Sequence, residues 1–306
     1  MAAMSLVPVS VSSSFEPVYP PVDLSYFQKP ISAAPAAIHF GYAAITWDGN
    51  DRQAIVDISS VGFHGIQLRS SAVQTFGRKP AALRELLRKH RLAFIALSSG
   101  DVRIDAQLRA EEIAKHTRNA RFVHDAGGLY LQVTDERPKG RAVTAEDYTQ
   151  LGALLTEIGK RSADLGVTLG YHNHMGSMGE RPEGVDRVLE AADPRYVKME
   201  LDVAHYFQGG GDPAKAIQRF GDRLLFLHLK DVKQLPAATL PEDSFEFVEL
   251  GRGQVDLPGV LAALQQAAFR GWVVVELDSV PGKSRTPKEC ATISKKYLQE
   301  KLGYTI

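Results

Sequence analysis

Two histidines, His172 and His174, stand two residues apart in "GYHNHMG", directly after the apolar run "VTL". On an extended strand that spacing sends both rings to one side. Further along, "ELDVAH" supplies Asp202 and His205, "LHLKD" supplies His228, Lys230 and Asp231, and "VVVELD" supplies Glu276 and Asp278. Imidazole and carboxylate donors in this mixture suit a divalent ion such as Mn, Co, Mg or Zn, and the same groups can move protons. Each also has a plain structural reading: a cap on the loop "QGGGD" for Asp202, a loop hydrogen bond for His205, an ion pair with Lys230 for Glu276. His228 and Glu276 end apolar runs, where an unpaired charge is costly. Four successive runs ending in such groups are hard to ascribe to accident.

The elements that must position these residues follow from periodicity. From Ile38 onward, apolar runs of strand length alternate with segments of helical spacing. The strand candidates are "IHFGYAAITW", "GIQLRSS", "LAFIALSSG", "GLYLQVTD", "VTLGYHNH", "YVKMELDVAH", "LLFLHLKDV" and "WVVVELDS". Between and after them, helices are predicted for "DRQAIVDISSVGFHG", "PAALRELLRKHR", residues 105–125, residues 145–165, "EGVDRVLEAAD", "DPAKAIQRFGD", "LPGVLAALQQAAFRG" and "PKECATISKKYLQEKLGY". Strict alternation makes the strands parallel, because each helix carries the chain back across the sheet. An open doubly wound sheet would be expected to show a glycine-rich phosphate loop after its first strand, and "ITWDGND" contains no GxGxxG. Eight units with nothing left over predict an α/β fold closed as a (β/α)8 TIM barrel, a single domain over residues 38–306. Its active site belongs at the carboxyl ends of the strands, where the residues above fall.

Composition narrows the function classes. Lys plus Arg and Asp plus Glu are both 36, a formal charge of zero, which argues against a nucleic-acid partner held through phosphates. Cys290 is the only cysteine, so neither an intrachain disulfide nor a thiolate metal site is available, and a cytoplasmic location is expected. No apolar run reaches membrane-spanning length, so no membrane partner is expected. Residues 1–37 are rich in Pro, Ser and Ala, with Lys29 the first basic residue. They read as an extended N-terminal arm, packed on the body or on a neighbouring subunit of a homo-oligomer, rather than as a secretory signal.

The motifs "YHNHMG", "ELDVAHYFQGGGDP", "LLFLHLKDV", "LGRGQVDLPGVLAAL" and "GWVVVELD" resemble the xylose-isomerase-like sugar isomerase/epimerase barrels, and among these most closely the inosose dehydratases. The resemblance runs roughly from Phe40 to Tyr304, and "FGYAAITWDGND" agrees with it. It implies metal ligation by Asp202, from "DVAH" where the family usually has Asp-Thr-Gly-His, by His228 and by Glu276. His172 is implied as the fourth ligand, in a place where many relatives carry a glutamate. His205, Lys230 and Glu276 are implied as catalytic groups, with His174 and Asp231 facing substrate; His174 shares the face of His172 and is the alternative strand-five ligand. Trp47, near the end of the first strand, and Arg252, in "GRG", are further candidates for substrate contact. The implied reaction is proton abstraction beside the carbonyl of a small-molecule keto-sugar or inosose, followed by dehydration; 3-epimerisation and isomerisation are the alternatives. Asp135 or Glu136 in "TDERP" is a weaker candidate for the pocket, and the insertion 233–254 reads as a lid or subunit contact. Abasic-site nucleases share the barrel but gather three metal ions, and here the second to fourth strand ends offer little beyond Asp101, His64 lying before its strand. A barrel that binds sugar without catalysis is the remaining alternative.

Overall fold

In the computed structural model, which describes residues 38–235 and 244–306, the strand-and-helix rhythm closes into a ring. The elements in order are β1 (Ile38–Ala43), α1 (Asp51–Val61), β2 (Gly65–Arg69), α2 (Ser71–Phe76), α3 (Pro80–Lys89), β3 (Ala93–Val102), α4 (Arg109–Ala126), β4 (Tyr130–Asp135) and α5 (Ala145–Ala163). The second half continues with β5 (Thr168–His172), α6 (Pro182–Ala191), β6 (Val197–Asp202), α7 (Val203–Gln208), α8 (Pro213–Phe220), β7 (Leu224–Leu229), β8 (Asp231–Gln234), β9 (Phe245–Val248), α9 (Leu257–Gln266), β10 (Gly271–Val275) and α10 (Pro287–Lys296). Eight strands form the closed barrel β1-β10-β7-β6-β5-β4-β3-β2, and the last strand pairs in parallel with the first, Ile38 opposite Gly271 through Tyr42 opposite Val275. Among the described residues no helix is long and apolar enough to cross a membrane.

Local chemistry explains where elements begin and end. Asp212 caps α8 by accepting from the backbone N–H groups of Ala214 and Lys215, with Pro213 in the first turn. Thr144 and Asp147 form a reciprocal capping box at the start of α5, as Thr286 and Glu289 do at α10. The helix predicted from residue 105 starts instead at Arg109, because the Asp105 carboxylate accepts from Gln107 N and holds residues 105–108 in a turn. The short α2 and α7 were not expected. The insertion after β7 contains an antiparallel hairpin, β8 against β9, with Asp231 opposite Val248. Its residues 236–243, and the expected arm 1–37, lie outside the described residues.

Inside the barrel, Phe226 stacks on Tyr130 (5.3 Å, 13°) and packs with Ile95, Ala96 and Val274. This apolar layer is a floor. Above it, toward the carboxyl strand ends, buried polar groups take over: Gln67, Gln132, His172, Glu200, Asp202, His228 and Glu276.

Candidate metal centre

Strand β6 places Asp202 at its last position, and the carboxylate is divided between two tasks. Its Oδ1 caps α7, accepting from Ala204 N (2.8 Å) and His205 N (2.9 Å). Its Oδ2 is buried without a hydrogen-bond partner. Asn173, next to His172, clamps this strand end from β5: its Oδ1 accepts from Asp202 N (2.9 Å) and its Nδ2 donates to Asp202 O (3.2 Å).

Around Asp202 Oδ2 the neighbouring strands bring His172 from β5 and His228 from β7, and one ligand atom from each of these three residues lies within 4.8 Å of the other two. Glu276, just past β10, puts Oε2 2.8 Å from His228 Nδ1. His228 Nε2 meets Gln67 Oε1 at 2.8 Å, and Gln67 Nε2 in turn donates to Gln132 Oε1. With the Nε2 proton engaged by Gln67, Nδ1 is the nitrogen turned toward the carboxylates.

The fit to a cation is tested by what these atoms lack. His172 Nδ1, Asp202 Oδ2, His228 Nδ1 and both Glu200 oxygens are buried with no hydrogen-bond partner, although several lie within 2.5–3.6 Å of one another. Buried polar groups are otherwise almost always satisfied, so donors crowded together without satisfying one another fit a shared cation. A mixed oxygen and imidazole set suits a divalent ion. Without one, His228 takes the positive role: burial disfavours its charge, but Glu200 and Glu276 outweigh burial and raise its pKa well above the ordinary value. Asp202 and Glu276, which burial alone would raise, are held well below the usual carboxylate range, by His205 and Lys230 for the first and by His228 and Lys230 for the second.

A cavity of about 170 Å³ opens over this cluster, bordered by Gln67, Asp101, His172, His174, Glu276 and Asp278 among others. A second, of about 400 Å³, shares Asp101, Thr134 and His174 with it. Strand β5 stops at His172, so His174 stands on the loop beyond, yet its ring lies 5.7 Å from that of His172 and 4.0 Å from that of His205. His174 Nδ1 sits 2.7 Å from Met175 O, which leaves Nε2 without a proton in the neutral ring. Burial and the neighbouring His172 lower its pKa.

His205 and Lys230 do not border the central cavity. Strand β9 covers them: the Phe247 ring packs edge-on to His205 (5.2 Å) and lies 4.0 Å from Lys230 Nζ. Behind that cover Lys230 Nζ reaches Asp278 Oδ1 (2.6 Å), Glu276 Oε1 (3.3 Å) and His205 Nε2 (3.4 Å). Burial opposes the ammonium charge, but Asp278 and Glu276 raise its pKa above the ordinary lysine value. Burial takes His205 well below the usual imidazole range.

Three expected substrate residues are engaged elsewhere. Asp231 accepts from four backbone N–H groups, those of Val232, Gly251, Gly253 and Val255, and so ties the return of the hairpin to β8. Trp47 is buried beside Tyr42 and donates its indole N–H to Asp57. Arg252 pairs with the buried Glu249. None of the three borders the central cavity. Asp135 accepts from Tyr171 Oη (2.6 Å) and Met178 N (2.8 Å), fastening the loop that carries His174. The residues that sequence reasoning missed are Gln67, Gln132, Asn173, Phe247 and Glu200. For Glu200 a signal was present: it lies two residues before Asp202 on the same strand, hence on the same face.

The profile of a family described as "Xylose isomerase-like TIM barrel" matches residues 55–299. The chain is 25% identical over 292 residues to an inosose dehydratase of Lacticaseibacillus casei, a match covering 85% of this chain and 96% of the relative. Among solved structures, the IolI protein with a bound zinc atom superposes with a TM-score of 0.71 at 19% identity, covering 86% of this chain and 97% of the other. A D-allulose 3-epimerase from Methylomonas sp. gives a TM-score of 0.69 at 18% identity, covering 88% and 99%. With a profile matching most of its length and a closed barrel of eight parallel strands, the chain belongs to the xylose isomerase-like TIM barrel family.

Proposed function

We propose that this protein is a divalent-metal-dependent lyase that removes the proton beside the carbonyl of an inosose, or a closely similar cyclic keto-sugar, and expels a β-hydroxyl as water. The supporting observation is the set of convergent, unpartnered donors at the cavity floor, with His174 and Asp278 on the wall above. His172, Asp202, His228 and Glu276 would hold the ion. When bound, it polarises the substrate carbonyl and acidifies the neighbouring C–H.

The chain's own groups account for the protons. His174 presents an unprotonated Nε2 to the cavity and takes the proton from carbon. Asp278, on the cavity wall 2.6 Å from the Lys230 ammonium, relays a proton from that ammonium to the departing hydroxyl, which leaves as water. The electron pair of the broken C–H bond forms the new C=C bond as the C–O bond breaks. Lys230, 2.6 Å from Asp278, acts from behind the wall as its positioning and proton-supplying partner, with His205 next to it. Return of the proton to the opposite face of the same carbon would make the protein an epimerase, the activity for which the Methylomonas neighbour is named. The test is to strip the protein of metal, reload it with Mn, Co, Mg or Zn, and follow scyllo-inosose and a panel of ketoses by NMR. Metal-dependent water loss from inosose is the expected result. Epimer formation without dehydration would refute the lyase assignment, and no turnover on any substrate with metal bound would refute both.

A further inference from the structure

Glu200 sits on β6 opposite His172 of β5, two residues before Asp202, and its side chain is wholly buried. An ionised carboxylate at such a depth needs a compensating cation. Its neighbours are two imidazoles: Oε2 lies 2.5 Å from His172 Nδ1 and Oε1 lies 3.3 Å from His228 Nδ1, and neither contact has hydrogen-bond geometry. The ligand set implied by family resemblance has no carboxylate on β6 other than Asp202, and expects its further carboxylate on β5, where this chain has His172.

We infer that Glu200 is an additional ligand of the metal centre, so that the carboxylate absent from β5 is supplied by the adjacent strand. The inference rests on the metal-dependent reading above and extends it. Two donors each roughly 2.1 Å from one ion stand about 3.0 Å apart at a right angle and about 3.4 Å apart in a tetrahedron. His228 Nδ1 has three carboxylate oxygens at such spacings: Glu276 Oε2 at 2.8 Å, Glu200 Oε1 at 3.3 Å and Asp202 Oδ2 at 3.6 Å. The barrel also leaves room for Glu200. Gly170, the inward-facing residue one turn of the pleat below His172, would place a Cβ 3.2 Å from Glu200 Cβ and within 3.5 Å of Phe226, so a side chain there would crowd the glutamate. Three carboxylates and two imidazoles form an oxygen-rich set of five donors, which favours a five- or six-coordinate ion over tetrahedral zinc.

The experiment uses Co²⁺ as probe on the full chain, comparing wild type with the near-isosteric Glu200→Gln. Affinity is read by chelator competition and coordination by the visible d–d bands, neither of which requires turnover. Expected are a wild-type spectrum of a five- or six-coordinate ion, at least 100-fold weaker binding in the variant, and shifted bands. Weaker binding with unchanged bands would make Glu200 a positioning residue and overturn the inference, as would unchanged affinity, while leaving the metal-dependent function standing. Failure of the wild type to bind any divalent ion would overturn both. Should Glu200→Gln not fold, Glu200→Asp keeps the charge but withdraws the carboxylate by a methylene; at least ten-fold weaker binding with shifted bands is expected, and wild-type behaviour would overturn the assignment.

Discussion

Replacing Lys230 by Met tests whether the charge network behind the cavity wall is what holds the site together. Lys230 is 0% exposed and faces Asp278 at 2.6 Å, Glu276 at 3.3 Å and Asp202 at 3.7 Å, with the Phe247 ring at 4.0 Å on its open side. Methionine keeps the length of the stem and removes the charge, leaving three carboxylates without their ammonium partner. Breaking a buried ion pair from one side costs about 3–5 kcal/mol. For a chain of this size, about 2 °C per kcal/mol translates that into a melting temperature lower by about 6–10 °C in metal-free protein at pH 7. Saturating Mn²⁺ should restore part of the loss, because the ion neutralises Asp202 and Glu276 but not Asp278. Combining Lys230→Met with Asp278→Asn, which removes the pair from both sides, should cost less than Lys230→Met alone. The assay is a thermal melt of the four proteins with EDTA and with metal. A loss below about 1 kcal/mol for Lys230→Met, or a double variant that loses the sum of both single effects, would refute the argument that this lysine is a buried counter-ion.

Other perturbations have equally definite outcomes. Gln67→Leu removes the acceptor for His228 Nε2–H and should weaken metal binding by about 10–100-fold, as loss of a ligand's outer partner does; isothermal titration with Mn²⁺ reads this directly. Metal at about 1,000 times its dissociation constant should stabilise the wild type by about 4 kcal/mol, visible as a higher melting temperature that EDTA reverses. His174→Asn should lower kcat by about 100-fold or more while leaving the metal affinity within a few-fold of wild type. On α4, Glu112 is wholly buried against Arg103, Lys115 and His116; burial raises its carboxyl, but these partners outweigh burial and lower it to about 2. A folded-state value below the unfolded one means stability present above about pH 4.3 and lost as pH falls toward 2. Glu112→Gln should therefore flatten the acid limb of the stability curve between those values, and an unchanged limb in urea titrations would count against the assignment.

The barrel was legible because eight apolar strand runs, each followed by a helical period, admit few topologies, and the candidate cluster was legible because chemistry collects at one end of parallel strands. His172, Asp202, His228 and Glu276 do converge, each from its own strand end. What escaped notice had local signals that a strand-by-strand reading undervalued. "FEFV" alternates aromatic and polar residues as an edge strand does, yet inside a long polar insertion it read as lid, and so the cover that Phe247 places on His205 and Lys230 was unforeseen. Asp231 looked like a pocket residue beside Lys230, but the chain turns into the hairpin there and directs its carboxylate to backbone N–H groups. Trp47 carried no signal to separate core from rim, and its partner Asp57 comes from α1, ten residues on. Glu200 obeys the same two-residue rule that singled out His172 and His174, applied to "ELD".

Everything proposed for the reaction depends on metal at this floor acidifying a C–H bond beside a carbonyl. The most direct test is to incubate metal-loaded and EDTA-stripped protein with scyllo-inosose in deuterated water and follow the α-carbon by NMR. Loss of the α-proton signal, by exchange or by elimination, is expected only when metal is present. A persistent α-proton in the presence of demonstrably bound metal, or equal loss in the stripped protein, would contradict that role for the ion.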